Sequence, residues 1–213
     1  MEIIPAIIPR TARDIRAVGD VIPHRPLTLH IDYVGKRYGG QQGGEFLPTH
    51  DMLTTGVVYE VHLMEMDKGR LLTHFLGIGV SRVIFQYEAF SEIHEIEELA
   101  HTAHLSGVEV GVALLIETPL SAVERLIPTI DFIQLMSIGE IGAQGRSFDD
   151  RVLDRIRAAR AAHTLPISVD GGITPERVAV LKEAGADRLV IGSAIVKQPD
   201  PSVAFKKFFA VLA

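Results

Sequence analysis

The chain has 213 residues, of which 47% are hydrophobic and 23% are charged, a composition typical of a folded globular protein rather than a disordered or fibrous one. Its net charge of −6 disfavours nucleic acid and anionic membranes as partners, because both bind dense positive charge. The chain has no cysteine, which excludes disulfides and thiolate metal sites.

Short β-branched apolar runs alternate with longer segments of helical periodicity, a pattern that predicts βα units and a parallel sheet. Eight strands are predicted, at Glu2–Ile8, Pro26–Tyr33, Val57–Leu63, Val80–Tyr87, Val108–Leu115, Asp131–Met136, Ile167–Asp170 and Arg188–Ile191. Apolar spacing predicts the helices, as at Ile93, Ile96, Ala100 and Ala103, or at Leu153, Ile156 and Ala159. Thr118-Pro119 and Thr174-Pro175 each predict a helix start, with the hydroxyl at the N-cap and proline at the first helical position.

Eight βα units in 213 residues leave little room for a second domain. We therefore expect the α/β class and one (β/α)8 TIM barrel domain over residues 1–213, with an open doubly wound sheet as the alternative. The segment Tyr33 to His50 contains five glycines and follows the second strand. Because long loops after barrel strands lie on the catalytic face, this segment is interpreted as a mobile lid or a flexible connection.

Four polar residues fall at the carboxyl ends of predicted strands. His30 and Asp32 are two residues apart and therefore share one face of strand two, His62 ends strand three, and Asp170 ends strand seven. Barrel enzymes place catalytic groups at these strand ends. Two imidazoles and two carboxylates predict a site for Zn²⁺, Mn²⁺, Fe²⁺ or Co²⁺, whereas each residue alone could simply close a strand.

Glycines predict a phosphate site. Gly171-Gly172 and Gly192-Ser193 follow strands seven and eight, where barrels bind phosphate through backbone N–H groups. Ordinary tight turns are the alternative for either pair. Gly35-Lys36 lacks the rest of a Walker A loop, which disfavours nucleotide binding. Weaker phosphate candidates are Arg10, Lys36, Arg37 and Arg146, and the histidines interpreted as surface residues are His24, His50, His74, His94, His101, His104 and His163.

Over nearly its whole length the sequence resembles ribulose-phosphate 3-epimerases. The matching motifs are Leu29-His30-Ile31-Asp32, Val61-His62-Leu63-Met64, Val112-Ala113-Leu114 with Thr118-Pro119, Leu135-Met136-Ser137, Val169-Asp170-Gly171-Gly172-Ile173 and Gly192-Ser193-Ala194-Ile195. They occur in the family's order and at similar spacing, which makes the resemblance more specific than any single motif.

The resemblance implies a (β/α)8 barrel whose divalent metal is bound by His30, Asp32, His62 and Asp170. It also implies that Asp32 removes the proton from C3 of a ketose phosphate and that Asp170 returns one to the opposite face. Met64 and Met136 match methionines that cover the reacting part of the sugar. Family members are often homo-oligomers, and this is expected here, with a small phosphorylated sugar as the substrate.

Several loops depart from the family pattern. Pro9 stands where the family has serine, Val34-Gly35-Lys36 replaces Met-Asp-Gly, Leu115-Ile116 replaces Asn-Pro, and the loop from Glu140 to Gly145 is rebuilt. These changes spare the predicted metal ligands and alter positions that hold the sugar.

Four alternatives to the pentulose-phosphate epimerase therefore stay open. The first is the same chemistry on another ketose phosphate, such as a hexulose 6-phosphate. The others are a non-catalytic phosphosugar-binding barrel and a barrel retained for assembly with partners, and, less favoured, a decarboxylase, whose Asp-x-Lys-x-x-Asp pattern is missing at Asp32. The N-terminus has neither the basic region nor the apolar run of a signal peptide, and no apolar stretch reaches the length of a membrane span, so we expect a cytoplasmic protein.

Overall fold

The computed structural model describes residues 1–23, 26–35, 46–65, 67–140, 142 and 145–212. Eight parallel strands close into a barrel in which β1 pairs with both β2 and β8. The strands are β1 Glu2–Ile7, β2 Leu27–Val34, β3 Val57–Met64, β4 Arg82–Gln86, β5 Glu109–Leu114, β6 Phe132–Met136, β7 Ile167–Asp170 and β8 Arg188–Ile191. Each predicted strand boundary lies within two residues of the observed one. The predicted (β/α)8 barrel is confirmed, and the open sheet is wrong.

Helices follow most of the strands. They are α1 Ala12–Gly19, α2 Lys68–Ile78, α3 Ile93–Leu105, α4 Arg151–Ala162, α5 Val178–Ala184, α6 Ser193–Val196 and α7 Pro201–Ala210. Four 3-10 segments complete the described elements, at His50–Met52, Tyr87–Ala89, Leu120–Thr129 and Pro175–Arg177. No described helix has both the length and the apolar character needed to cross a membrane.

The predicted threonine caps differ from the observed ones. Pro119, rather than Thr118, is the N-cap of the 3-10 segment after β5, and the Thr118 hydroxyl instead donates to the carboxylate of Glu88. Thr174 does occupy the N-cap before Pro175, but its side chain makes no capping hydrogen bond to the backbone. In the segment interpreted as a lid, residues 36–45 lie outside the described residues, as do Lys36 and Arg37.

Strand alternation divides the buried residues into two groups. One set of side chains, including Leu29, Ile31 and Val61, points outward and packs with the helices in the largest apolar cluster. The other set points into the barrel, where two smaller apolar clusters form around Phe132 and Val190. The barrel interior therefore has room for polar groups between apolar ones.

A charged network fills the barrel interior near the amino ends of the strands. Arg82 contacts Glu60 at 3.0 Å, Glu109 at 3.0 Å and Glu2 at 3.4 Å. Arg188 lies 3.7 Å from Glu2 and 3.6 Å from Glu109. We call these five residues the charged layer. Because each arginine contacts more than one carboxylate, the layer links strands β1, β3, β4, β5 and β8 at one end of the barrel.

Close packing in the interior requires a glycine in β5. A Cβ atom at Gly111 would overlap the ring of Phe132 on β6, with the ring Cδ2 only 2.8 Å away. The Phe132 ring is itself fixed, because Arg188 lies over it with Cζ 4.7 Å from the ring centroid. The missing side chain at Gly111 is therefore what allows Phe132 to fill the barrel.

We expect the substitution Gly111→Ala to lower the free energy of unfolding by about 1–3 kcal/mol, the usual cost of overpacking a filled core. Chemical denaturation followed by circular dichroism measures this change. Gly69→Ala is the matched control, because no atom of the described residues lies within 4 Å of a Cβ there and the residue is inside helix α2. The control is expected to raise stability by up to about 1 kcal/mol. A stabilising effect of Gly111→Ala would contradict the packing argument. Adding Phe132→Leu to the Gly111→Ala variant is expected to restore part of the lost free energy of unfolding.

Candidate active site

The four predicted metal ligands converge inside the barrel. His30 and Asp32 extend from β2, His62 from β3 and Asp170 from the end of β7. Asp32 is paired with His62 in the register of β2 and β3, which places these two side chains next to each other. One ligand atom from each of the four residues lies within 4.8 Å of the other three. This span is about twice a metal–ligand distance of roughly 2.0–2.2 Å, so one ion could contact all four.

His30 is held from both sides by carboxylates. Its Nδ1 lies 2.7 Å from Glu60 Oε1 and its Nε2 lies 3.2 Å from Asp32 Oδ1. Burial opposes protonation of His30, but the charges of and hydrogen bonds to Asp32 and Glu60 outweigh burial and raise its pKa well above the ordinary value. Since a carboxylate can only accept, Nδ1 donates to Glu60, and Nε2 is the atom that faces the ligand cluster.

Glu60 connects His30 to the charged layer. This fully buried carboxylate accepts from His30 through Oε1 and contacts Arg82 Nη1 at 3.0 Å through Oε2. Burial opposes its ionisation, yet the hydrogen bond and charge of His30, followed by those of Arg82, lower its pKa. Glu60 is therefore held as an anion between a candidate metal-ligating histidine and the partly buried Arg82.

His62 is fixed by a chain of amide and carboxylate contacts. Its Nε2 donates to Gln86 Oε1 at 2.8 Å, and Gln86 Nε2 in turn donates to Glu88. Glu88 also accepts from the backbone N–H of Leu115 at 3.0 Å and from the Thr118 hydroxyl. With Nε2 used as a donor, His62 Nδ1 faces the cluster and lies 3.5 Å from Asp32 Oδ1.

The two aspartates have opposite protonation tendencies. Burial opposes ionisation of Asp32, but the charge and the hydrogen bond of His30 lower its pKa well below the ordinary value. Burial raises the pKa of Asp170 to about 7, and repulsion from Asp32 adds to this effect. Around neutral pH, Asp32 is thus an anion, while Asp170 gains or loses a proton readily.

The residues present fit a divalent cation. The lone pairs of His62 Nδ1 and Asp32 Oδ1 face each other across 3.5 Å, and two carboxylates repel each other in the same small space. A cation between these atoms would remove both repulsions. A set of two imidazole nitrogens and two carboxylate oxygens suits Zn²⁺, Fe²⁺, Mn²⁺ or Co²⁺.

A cavity of about 180 Å³ lies beside this cluster at the carboxyl ends of the strands. His30 and His62, which are fully buried, lie outside its lining. Every other residue predicted for the site borders it, namely Asp32, Asp170, Met64, Met136, Gly171, Gly172, Gly192 and Ser193. The predicted acid–base groups, methionines and phosphate-binding glycines therefore share one cavity.

The turn after β7 requires its glycines. Gly171 and Gly172 have φ values of 114° and 59°. A Cβ atom at Gly172 would lie 2.6 Å from the backbone nitrogen of Phe148 and 2.8 Å from the carbonyl oxygen of Arg146. The loop between β6 and α4 can therefore lie directly against this turn, which brings its residues to the cavity.

One of the weaker phosphate candidates reaches this cavity. Arg146 lines it beside Gly145, and its guanidinium forms an ion pair with Glu140 of the same loop. Arg10 precedes α1 and is not part of the lining. Of the remaining histidines, His24 lies outside the described residues, and the others lie outside both the ligand cluster and the cavity lining: His50, His74, His94, His101, His104 and His163.

Sequence reasoning missed four buried polar residues around the site. Glu60, Gln86 and Gln134 lie on the interior faces of β3, β4 and β6, and each contacts a predicted ligand. Strand parity could have found them, because Glu60 precedes His62 by two residues and Gln134 precedes Met136 by two. Ser137 donates to the carbonyl oxygens of Asp170, at 3.0 Å, and of Gly171, and so fixes the turn that follows β7.

Solved structures share this fold. The 3-hexulose-6-phosphate synthase of Salmonella typhimurium superposes with a TM-score of 0.74 and 20% sequence identity, covering 100% of this chain and 98% of that one. KGPDC from Streptococcus mutans, in complex with D-R5P, gives a TM-score of 0.78 at 11% identity, with 99% and 96% covered. At these identities the likeness concerns the fold alone.

Curated relatives are closer in sequence. The ribulose-phosphate 3-epimerase of Serratia marcescens is 31% identical over 195 residues, which cover 89% of each chain. The Escherichia coli K12 enzyme of the same name is 32% identical over 146 residues, or 66% of this chain and 63% of that one. The model of the ribulose-phosphate 3 epimerase family matches residues 27–196. The chain therefore belongs to the ribulose-phosphate 3 epimerase family of isomerases.

Proposed function

We propose that this protein is a metal-dependent 3-epimerase that interconverts D-ribulose 5-phosphate and D-xylulose 5-phosphate. The observation that carries the proposal is the pair of aspartates, Asp32 and Asp170, which border one cavity and differ in protonation. Inversion of a carbon centre needs a base on one side and an acid on the other. Relatives that carry the name ribulose-phosphate 3-epimerase support the choice of substrate.

The divalent ion would be Zn²⁺, Fe²⁺, Mn²⁺ or Co²⁺. The residues that would hold it are His30, Asp32, His62 and Asp170. When bound, such an ion supplies positive charge that polarises the C2 carbonyl and stabilises an enediolate. The protein's own contribution is to fix the two imidazoles: Glu60 directs His30 Nε2 toward the cluster, and Gln86 does the same for His62 Nδ1.

The carboxylates move the protons. Ionised Asp32 takes the proton from C3, the C–H electron pair passes into the enediolate, and protonated Asp170 delivers a proton to C3 from the opposite side. Two strands, β1 and β8, separate β2 from β7 around the barrel on the side of the cavity, so the two carboxylates approach the sugar from different directions. In the reverse reaction the roles of Asp32 and Asp170 are exchanged.

The phosphate is assigned to the turns after β7 and β8. Gly171, Gly172, Gly192 and Ser193 border the cavity, and a glycine turn allows backbone N–H groups to approach phosphate oxygens closely. Met64 and Met136 are buried side chains that line the cavity beside the two aspartates and would cover the reacting carbons. Their apolar surfaces would help to exclude water from the enediolate.

A second candidate is the same reaction on a longer ketose phosphate, such as a hexulose 6-phosphate. The observation that favours it is the rebuilt loop after β6, which brings Gly142, Gly145 and Arg146 into the cavity lining. A non-catalytic phosphosugar-binding barrel is a third reading, which differs in predicting no proton exchange. The three candidate functions therefore differ in which sugar phosphate, if any, exchanges its C3 hydrogen.

With a divalent metal added, the protein is expected to incorporate deuterium at C3 of D-ribulose 5-phosphate in D₂O, with formation of the epimer. Asp32→Asn and Asp170→Asn are each expected to reduce this rate by about 10²–10⁴-fold, because each removes an acid–base group. Proton NMR measures both exchange and epimer formation. Chelation of the metal is expected to abolish the reaction, and adding the metal back is expected to restore the rate.

The matched control is Asp154→Asn, since that carboxylate lies on the outer side of α4 and pairs with Arg157 at 2.8 Å. The control is expected to react like the unaltered protein. Exchange seen only with a hexulose 6-phosphate would transfer the assignment to the second candidate. If phosphosugars bind to metal-loaded protein but no C3 hydrogen exchanges, the epimerase proposal is wrong.

Glu60→Gln is expected to weaken metal binding by about 10–100-fold, because the groups that orient metal-binding histidines commonly have effects of this size. Isothermal titration with Zn²⁺ in a competing chelator measures the change. Glu109→Gln removes another carboxylate from Arg82 but does not contact His30, and is expected to leave the affinity within about threefold. Equal losses in both variants would mean that the charged layer, rather than the contact with His30, determines the affinity.

We also assign Arg146 to the phosphate site, because it lines the same cavity as the turns after β7 and β8. Arg146→Gln is therefore expected to raise KM about fivefold with little change in kcat, because an exposed ion pair to phosphate is worth about 1 kcal/mol. Glu140→Gln should lower KM, since it removes the carboxylate that competes with phosphate for Arg146. Arg157→Gln on the outer side of α4 is the control. Initial rates against substrate concentration test this, and an unchanged KM in Arg146→Gln would remove Arg146 from the phosphate site.

A further inference from the structure

Gln134 is a fully buried amide in the middle of β6, and the two-aspartate mechanism above gives it no role. Its side chain points into the barrel directly beside the ligand cluster. Nε2 lies 3.3 Å from Asp170 Oδ2, 3.4 Å from His62 Nδ1 and 3.7 Å from Met136 Sδ. This single nitrogen thus contacts two of the candidate metal ligands and one of the methionines that line the cavity.

The three neighbours of Nε2 compete for two hydrogens. The Asp170 carboxylate, the unprotonated Nδ1 of His62 and the Met136 sulfur are all acceptors, and a primary amide has only two N–H bonds. If the lone pair of His62 Nδ1 is given to a cation, two acceptors remain for two hydrogens. The hydrogen-bonding capacity of Gln134 therefore matches the metal-loaded arrangement of its neighbours.

The oxygen Oε1 is the second polar atom of the Gln134 side chain. Among the described residues no group donates to Gln134 Oε1, although this oxygen is fully buried. A buried acceptor without a donor costs about 1–3 kcal/mol, so such atoms are uncommon unless they serve a function. Because Gln134 is fully buried and does not line the cavity, the fitting donor is a buried water molecule.

We propose that Gln134 is a positioning residue of the epimerase site. Its Nε2 donates to Asp170 Oδ2, which holds that carboxylate in place and directs its second oxygen toward the metal and C3. Its Oε1 accepts from a buried water molecule. The effect on kcat rests on the proposed function, whereas the part that concerns Asp170 and the metal does not.

The test uses Gln134→Leu and Gln134→Met, which keep approximately the same volume and remove both the donor and the acceptor. Two variants are needed because either shape alone could disturb the barrel; circular dichroism and thermal unfolding identify the variants that fold. The control is Ser168→Ala, because Ser168 is the register partner of Gln134 on β7, is also buried, and lies two residues before Asp170.

The first readout is the Mn²⁺ dissociation constant, measured from the electron paramagnetic resonance signal of unbound Mn²⁺. Both Gln134 variants are expected to bind Mn²⁺ about 10–100-fold more weakly than the unaltered protein, and Ser168→Ala to bind it as the unaltered protein does. The second readout, at saturating Mn²⁺, is the rate of epimerisation. We expect kcat to fall about tenfold or more in both variants, with KM within about twofold.

Unchanged Mn²⁺ affinity and kcat in either folded Gln134 variant would overturn the proposal, as would equal losses in Ser168→Ala. If the unaltered protein binds Mn²⁺ but epimerises no ketose phosphate, the proposed function fails separately and Mn²⁺ affinity alone decides the role of Gln134. If the unaltered protein binds no Mn²⁺, Gln134 has no metal site to support, and the inference is wrong.

Discussion

The contact between Glu60 and His30 connects the fold of this protein to its chemistry. Glu60 is almost completely buried, and a buried carboxylate is stable only when it is paired. Arg82 and His30 supply the two partners, one on each oxygen. The same pairing that makes the anion tolerable also decides which nitrogen of His30 faces the ligand cluster. The charged layer at one end of the barrel thus determines the orientation of a side chain near the other end.

The two carboxylates of the candidate site have different surroundings. Asp32 lies between His30 and His62 and is held as an anion, whereas burial and the charge of Asp32 raise the pKa of Asp170, and the charge of His30 offsets this only in part. Two chemically identical side chains therefore differ in protonation because of their positions on β2 and β7. A symmetric pair of carboxylates would be a poorer catalyst of inversion, because one proton has to leave as another arrives.

The eight strands and the four candidate ligands could be predicted from sequence because both depend on local patterns. Alternation places His30 and Asp32 on one interior face, and a strand end places Asp170 at the cavity. The cap at Thr118 was harder to predict, because its competing side-chain partner is distant in sequence. The Thr118 hydroxyl bonds to Glu88, thirty residues away.

The buried amides were missed for the same reason, because their partners are also distant in sequence. Strand parity places a glutamine on the interior face, but its function depends on which side chains the neighbouring strands place beside it. Gln134 acquires meaning only through Asp170 on β7 and His62 on β3, which are 36 and 72 residues distant in sequence. The candidate ligands are thus the part of such a site that sequence patterns reveal, because carboxylate and imidazole residues inside a strand are conspicuous. The amides beside them are ordinary in sequence, and only the closed barrel brings them to the candidate ligands.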